Sequence, residues 1–214
     1  MKPDANHYGT FSVFELERQP LPTLMVKDFF CRQIKSDEAE LMQQVMNKSG
    51  QYVPDHAATK LAEGCLGYIG QVHLPETDSL LPVAYGWVNL KGETLGPTGF
   101  AFHPPTTDVY LFDFATMPDY RGRSYYPALL IYILGELKAQ GYKRAWIGTA
   151  PGNAVSARSI ARTGFQLVGY SNIIPQPAGQ PWKFETIVSP DISPEIAELA
   201  QASVVRVGKE EVEL

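Results

Sequence analysis

The chain has 214 residues, 44% of them hydrophobic and 19% charged, with a formal net charge of −5. These values describe one compact globular domain with extra terminal elements, and the acidic balance argues against a nucleic-acid-binding protein. No apolar stretch approaches bilayer length, the longest being residues 128–134, so no membrane association is expected. The start, MKPDANHYGT, lacks the apolar run of a signal peptide, which makes a cytoplasmic location the expectation. Cys31 and Cys65 read as small buried hydrophobes rather than as a disulfide. His7, His56, His73 and His103 show no metal-ligand spacing, and no metal is indicated.

In chain order, residues 10–16 (TFSVFEL) and 25–34 (MVKDFFCRQI) read as strands separated by the turn material QPLP. Ser36 then offers an N-cap, Asp37 and Glu38 suit the positive end of a helix, and Leu41, Met42, Val45 and Met46 recur at helical spacing before Gly50. A weaker helical segment at 55–63 leads into a strand at 65–74, which a polar turn joins to another at 81–90 as an antiparallel hairpin. Residues 91–105 read as a long glycine- and proline-rich loop carrying Phe100, Phe102 and His103, a candidate wall for a substrate.

A strand at 108–117 ends at Pro118, and a helix follows with apolar residues at 126, 129, 130, 133, 134 and 137. Ser124 is its expected N-cap, with Pro127 in the first turn where a missing N–H costs nothing, and Gly141 closes it. A short strand at 144–150, a helix capped by Asn153 and ended by Gly164, strands at 165–174 and 182–188, and a helix at 194–201 complete the chain. Strand, helix, strand, helix and strand pair indicate α/β architecture with a mixed sheet.

The densest chemistry lies at 119–130, DYRGRSYYPALL, where two arginines, a glycine and a serine fill four positions at a strand-to-helix junction. The N–H groups of a helix start have no intrahelical acceptor and can hold an anion such as phosphate. Between residues 121 and 162 seven basic residues face one acid, a surplus of six, so the remainder of the chain carries −11. An anion-attracting segment therefore sits within an otherwise acidic sequence.

Two segments, TMPDYRGRSYYPALL and NAVSARSIARTGFQLVGY, resemble the GNAT N-acetyltransferase superfamily. The first is similar to its acyl-CoA loop, Arg/Gln-x-x-Gly-x-Gly/Ala. The second is similar to its later Asn-x-x-Ser/Ala and Gly-Phe segment, with the eleven-residue offset from Asn153 to Gly164. The resemblance covers about residues 29–188. It implies a mixed, mostly antiparallel central sheet flanked by helices over 26–188, with an N-terminal addition at 1–25, holding an extra strand, and an acidic C-terminal addition at 189–214. It implies acetyl-CoA as acyl donor and an amine of a small molecule, amino acid or peptide as acceptor partner, joined by direct attack in a ternary complex. A homodimer is left open.

Carried over by position, the backbone of Arg121, Gly122, Arg123, Ser124, Tyr125 and Tyr126 would bind the pyrophosphate. Thr116 and Met117 would hydrogen-bond the pantetheine arm or thioester carbonyl, and Asn153 would contact the arm from the other side. The chain departs from the family in having Ser124 and Tyr126 where glycine is usual, which narrows the loop. Ile160 stands where the family often has a tyrosine as general acid, so another proton donor or a free thiolate leaving group is required. Branches resembling ribosomal-protein acetyltransferases lack this tyrosine too.

Past its first residue, Asp108, the strand expected beside the thioester has Asp113 as its one acid, and LFDFATMPDYRG resembles the corresponding strand of polyamine acetyltransferases. It is read as base or ammonium anchor, with a purely structural bond as the alternative if a bulge turns it away. Tyr110 and Tyr125 are secondary candidates for proton transfer. With the glycines replaced and the usual acid absent, the other reading is a non-catalytic acyl-CoA-binding or partner-binding module on the same fold.

Overall fold

The computed structural model describes residues 9–95, 100–174 and 183–206. In chain order the strands and helices are β1 (Gly9–Glu15), β2 (Phe29–Gln33), α1 (Ala39–Ser49), α2 (His56–Ala62), β3 (Leu66–Leu74), β4 (Ser79–Asn89), β5 (Glu93–Thr94) and β6 (Phe100–Phe102). They continue with β7 (Asp108–Thr116), α3 (Tyr125–Ala139), β8 (Arg144–Gly148), α4 (Ala154–Arg162), β9 (Gln166–Ile174), β10 (Lys183–Val188), α5 (Pro194–Ser203) and β11 (Val204–Arg206). The architecture is α/β, a mixed, mostly antiparallel central sheet flanked by helices.

The chain forms two compact units, Pro20–Leu90 with Leu111–Gly141, and Met1–Gln19 with Lys91–Tyr110 and Tyr142–Leu214. In the first, the hydrogen-bonded strand order is β7-β4-β3-β2. The expected hairpin is present as β3 and β4, antiparallel from Leu66 opposite Val88 to Leu74 opposite Ser79. Its close packing depends on two glycines without side chains: the Phe29 ring lies over Gly70 and the Phe114 ring over Gly86, in space a Cβ would fill. Below, Met42, Val45 and Met46 of α1 meet Ile69, Tyr85 and Trp87 in one buried cluster, as their helical spacing predicts. The strand expected at 25–34 is shorter, because residues 25–28 precede the pairing that starts with Phe29 opposite Val72.

Ser36 does not cap α1 with its side chain. It opens a 3-10 turn, Ser36–Glu38, and the bond at this end is made by Glu38, whose carboxylate accepts from the Lys35 N–H at 2.8 Å. Helix α3 differs from the expected single stripe. Tyr125, Ala128, Leu129, Leu130, Ile133, Leu134 and Leu137 are all buried, so Tyr125, not Tyr126, leads the core-facing residues. Each fully buried leucine contributes roughly 2 kcal/mol of transfer free energy.

In the second unit the order is β10-β9-β1-β8-β7. The N-terminal strand β1 is thus an interior strand, paired antiparallel with β8 on one side and β9 on the other. An aromatic cluster of Phe11, Phe102, Tyr110 and Trp146 fills its core, with ring centroids 4.7 to 6.4 Å apart. The stretch expected as a loop at 91–105 holds β5 and β6, which form a three-stranded sheet in the order β11-β6-β5. This corrects the loop expectation, and with it Phe102 as a substrate wall, since Phe102 is fully buried. In the C-terminal addition β11 pairs Val204 with Phe102. The connecting loop expected at 175–180 lies outside the described residues.

Candidate functional site

The anion loop is built by a chain reversal straight after β7. Met117 ends the strand with its N–H donating to the Val83 carbonyl at 2.8 Å, and Pro118–Tyr120 forms a 3-10 turn in which the Tyr120 N–H returns to the Met117 carbonyl at 2.9 Å. Gly122 and Ser124 then take left-handed backbone conformations, at φ 77° and 63°. Alternating handedness of this kind turns successive N–H groups toward one concavity. Among the described residues, the N–H groups of Gly122, Arg123, Ser124 and Tyr125 meet no protein acceptor, and the first bond of the helix start is Ala128 N–H to Ser124 carbonyl at 3.1 Å. Ser124 holds the N-cap position, yet its side chain makes no capping bond, which leaves the helix start open to an external anion.

Both arginines are tied back to the loop that carries them. Arg121 Nε donates to the Thr116 carbonyl at 3.0 Å, and an Arg123 terminal nitrogen reaches the Asp119 carbonyl at 3.4 Å while its guanidinium lies 5.4 Å from the Tyr120 ring centroid. Among the described residues neither arginine pairs with a carboxylate. Tyr125 is stacked on Phe29 with centroids 4.4 Å apart, and Tyr126 lies 5.5 Å from Phe114. The Tyr125 side chain is therefore core, and the loop-facing resource of this residue is its backbone N–H.

Asp113 departs from regular strand geometry. Its φ is 48°, left-handed within β7, a conformation that costs about 1–2 kcal/mol in a residue with a Cβ. The local twist sets the carboxylate between two aromatic-ring partners from other elements. Tyr85 of β4, itself fully buried, donates its hydroxyl to Asp113 Oδ1 at 2.9 Å. Burial, then the Asp113 charge and this bond, push the Tyr85 hydroxyl well above its ordinary value, so it remains a donor at neutral pH. His56, the first residue of α2, brings Nε2 to 3.6 Å from Asp113 Oδ2, with both side chains about one quarter exposed, 24% and 23%.

His56 and Tyr85 are functional candidates that sequence reasoning passes over. The histidines show no spacing in sequence that marks a site, and Tyr85 sits 28 positions from Asp113 inside an apolar strand. The faint signal is a polar pair, Asp55 and His56, opening a weak helix. Of the secondary candidates, Tyr110 is 6% exposed within the aromatic cluster, and burial followed by the Glu93 charge raises its hydroxyl.

In the other unit, Asn153 accepts the Ser156 N–H on its side-chain oxygen at 3.1 Å and so caps α4, while remaining exposed. Ile160 is buried at 2% exposure. Of the seven basic residues between 121 and 162, Arg144 is consumed structurally: its Nε donates at 2.8 Å to Asp108 Oδ2, which also accepts from Trp146 Nε1 at 2.8 Å. The anion-attracting surplus is therefore smaller by one than the sequence count. Among the described residues no group of three His, Cys, Asp or Glu side chains is disposed to hold a metal ion, and no helix is long and apolar enough to cross a membrane.

Comparison with known proteins is informative at this point. A family model described as the Acetyltransferase (GNAT) family matches residues 51–165. Among solved structures, a GCN5-related N-acetyltransferase from Sphaerobacter thermophilus is 12% identical at a TM-score of 0.57, covering 86% of this chain and 52% of that one. A GCN5-related N-acetyltransferase from Kribbella flavida is 13% identical at a TM-score of 0.51, covering 75% of this chain and 54% of that one. Both share the fold, and this chain spans about half their length. No curated protein matches the chain.

Proposed function

The chain belongs to the GNAT acetyltransferase family, and from that premise we propose that it is an acyl-CoA-dependent N-acyltransferase, moving an acetyl group from acetyl-CoA to an amine of a small molecule, amino acid or peptide. One observation carries the reading: a row of backbone N–H groups without acceptors, Gly122 to Tyr125, at a helix start flanked by Arg121 and Arg123. That donor set fits a pyrophosphate, which needs several convergent donors and positive charge but no metal. Tyr126 would add its backbone N–H at the same helix start, and Thr116 and Met117 at the end of β7 would adjoin the pantetheine arm.

In this reading the amine attacks the thioester directly, and the protein supplies position and proton transfer. Asp113 is the base or the anchor of the incoming ammonium, its second-partner geometry set by the Tyr85 hydroxyl. Because Ile160 is buried hydrocarbon, no side-chain acid acts from that position, and the thiolate of CoA leaves as such.

The test combines binding and turnover. With acetyl-CoA at about a hundredfold over its Kd, linkage contributes ~2.7 kcal/mol, so Tm should rise by about 5–10 °C. Release of free thiol with at least one member of an amine panel is expected. Stabilisation with no thiol released across the panel would instead favour a non-catalytic acyl-CoA-binding module, and absence of any stabilisation would remove both readings.

A further inference from the structure

Beyond Asp113, the same unit contains an ionisable group with an unexplained environment. His56 Nε2 is buried with no hydrogen-bond partner among the described residues, a state that costs about 1–3 kcal/mol and calls for a reason. It lies 3.6 Å from Asp113 Oδ2, just beyond hydrogen-bond reach. The carboxylate it faces is fixed from the other side by the Tyr85 hydroxyl at 2.9 Å, and the backbone of Asp113 is left-handed at φ 48°. The segment carrying His56 is anchored as well: Gln43 of α1 accepts the Ala57 N–H at 3.0 Å and donates to the Val53 carbonyl at 3.0 Å. A side chain so placed is held by both neighbours of its own segment, yet makes no structural bond of its own.

We propose that His56, in place of Asp113, is the residue that takes the proton from the acceptor amine, with Asp113 and Tyr85 as positioning residues behind it. This rests on the acyltransferase reading above. Asp113 Oδ2 accepts from Nε2–H as the site tightens, which fixes that tautomer and leaves Nδ1 with the lone pair. Nδ1 removes one proton from the ammonium. The neutral amine's lone pair forms the N–C bond, and the C–S electron pair leaves with sulfur. The proton still on the new cationic nitrogen passes to that sulfur, giving amide, free thiol and an imidazolium that returns its proton to water. Besides Asp113 on β7 and Tyr85 on β4, the charged groups of this segment are Lys60 on α2 and Glu63 just after it, which pair with each other at 3.1 Å, and Asp55, which precedes the helix.

The experiment is 15N NMR of the full chain labelled at histidine, with His56→Gln used to assign the His56 ring. The expected result is the Nε2–H tautomer of His56 in the wild type, lost in Asp113→Asn while the signals of the other histidine rings stay in place. In parallel, His56→Gln should lower kcat/KM by about a hundredfold, with stabilisation by acetyl-CoA retained. A His56 ring indifferent to Asp113→Asn overturns the proposal, as does a His56→Gln variant of wild-type turnover. If no amine turns over at all, the acyltransferase reading fails, and the NMR arm still decides whether the pair exists. Should His56→Gln not fold, the wild type and Asp113→Asn carry the tautomer test alone.

Discussion

Asp113 carries backbone strain, a buried hydroxyl bond and proximity to an imidazole at one residue. Strain of this kind persists only where surrounding structure over-determines it, and it concentrates at functional sites. Asp113→Asn keeps the side-chain volume, an oxygen for Tyr85 and tolerance of the left-handed region, so stability should change by less than about 1 kcal/mol. Turnover should fall at least about tenfold, with the acetyl-CoA melting shift unchanged. Unaltered turnover would take Asp113 out of the mechanism. In the anion loop the two left-handed residues allow an opposite pair of substitutions. Gly122→Ala meets no neighbouring atom and still forces a Cβ into left-handed backbone, a cost of about 1 kcal/mol. Ser124→Gly relieves that same cost. Urea melts should therefore move in opposite directions, and acetyl-CoA affinity should drop only for Gly122→Ala. Asp113 was legible as a candidate from its place in an apolar strand, whereas its left-handed backbone was not, because that conformation in a non-glycine residue leaves no mark on the sequence.

At the scale of elements, β7, the reversal at Pro118 and α3 form the part most readable in advance. Periodicity marked the strand and the helix, and Arg-Gly-Arg-Ser marked the turn between them. The N-cap of α1 differs from the local expectation for a physical reason: Ser36 is a fine local cap, but Arg32 of β2 recruits Glu38 with two bonds of 2.6 and 2.8 Å, and the chain follows the stronger charge-assisted pair. That pair gives a pH signature. The Arg32 bonds, then the Lys35 N–H, lower the Glu38 carboxyl from 4.5 to about 2. Its folded value is depressed, so its contribution is complete above 4.5 and is lost as pH falls from there toward about 2. Both side chains are partly exposed, 36% and 24%, which limits the contribution to about 1 kcal/mol or less. Glu38→Gln should be less stable than wild type at pH 6, and the difference should shrink when melts are repeated near pH 3.

Across the whole molecule, charge is distributed against the average: a protein of net charge −5 concentrates basic residues in the segment that holds the anion loop. Exposed charge is screened by salt, so acetyl-CoA affinity measured by titration should weaken steadily from low to high ionic strength, with a shallower dependence in Arg123→Gln. An affinity indifferent to salt would mean that backbone donors alone hold the phosphates. The sequence by itself determined the α/β class, the hairpin, the anion loop and the helix behind it, because local periodicity, capping chemistry and one glycine-flanked turn encode them within a few residues. Only the tertiary structure decided that β1 is interior, that 91–105 contains strands completed by β11, that Arg144 is spent on Asp108, and that His56 and Tyr85 converge on Asp113. Each of these joins residues far apart along the chain, where burial and pairing, not local propensity, set the outcome.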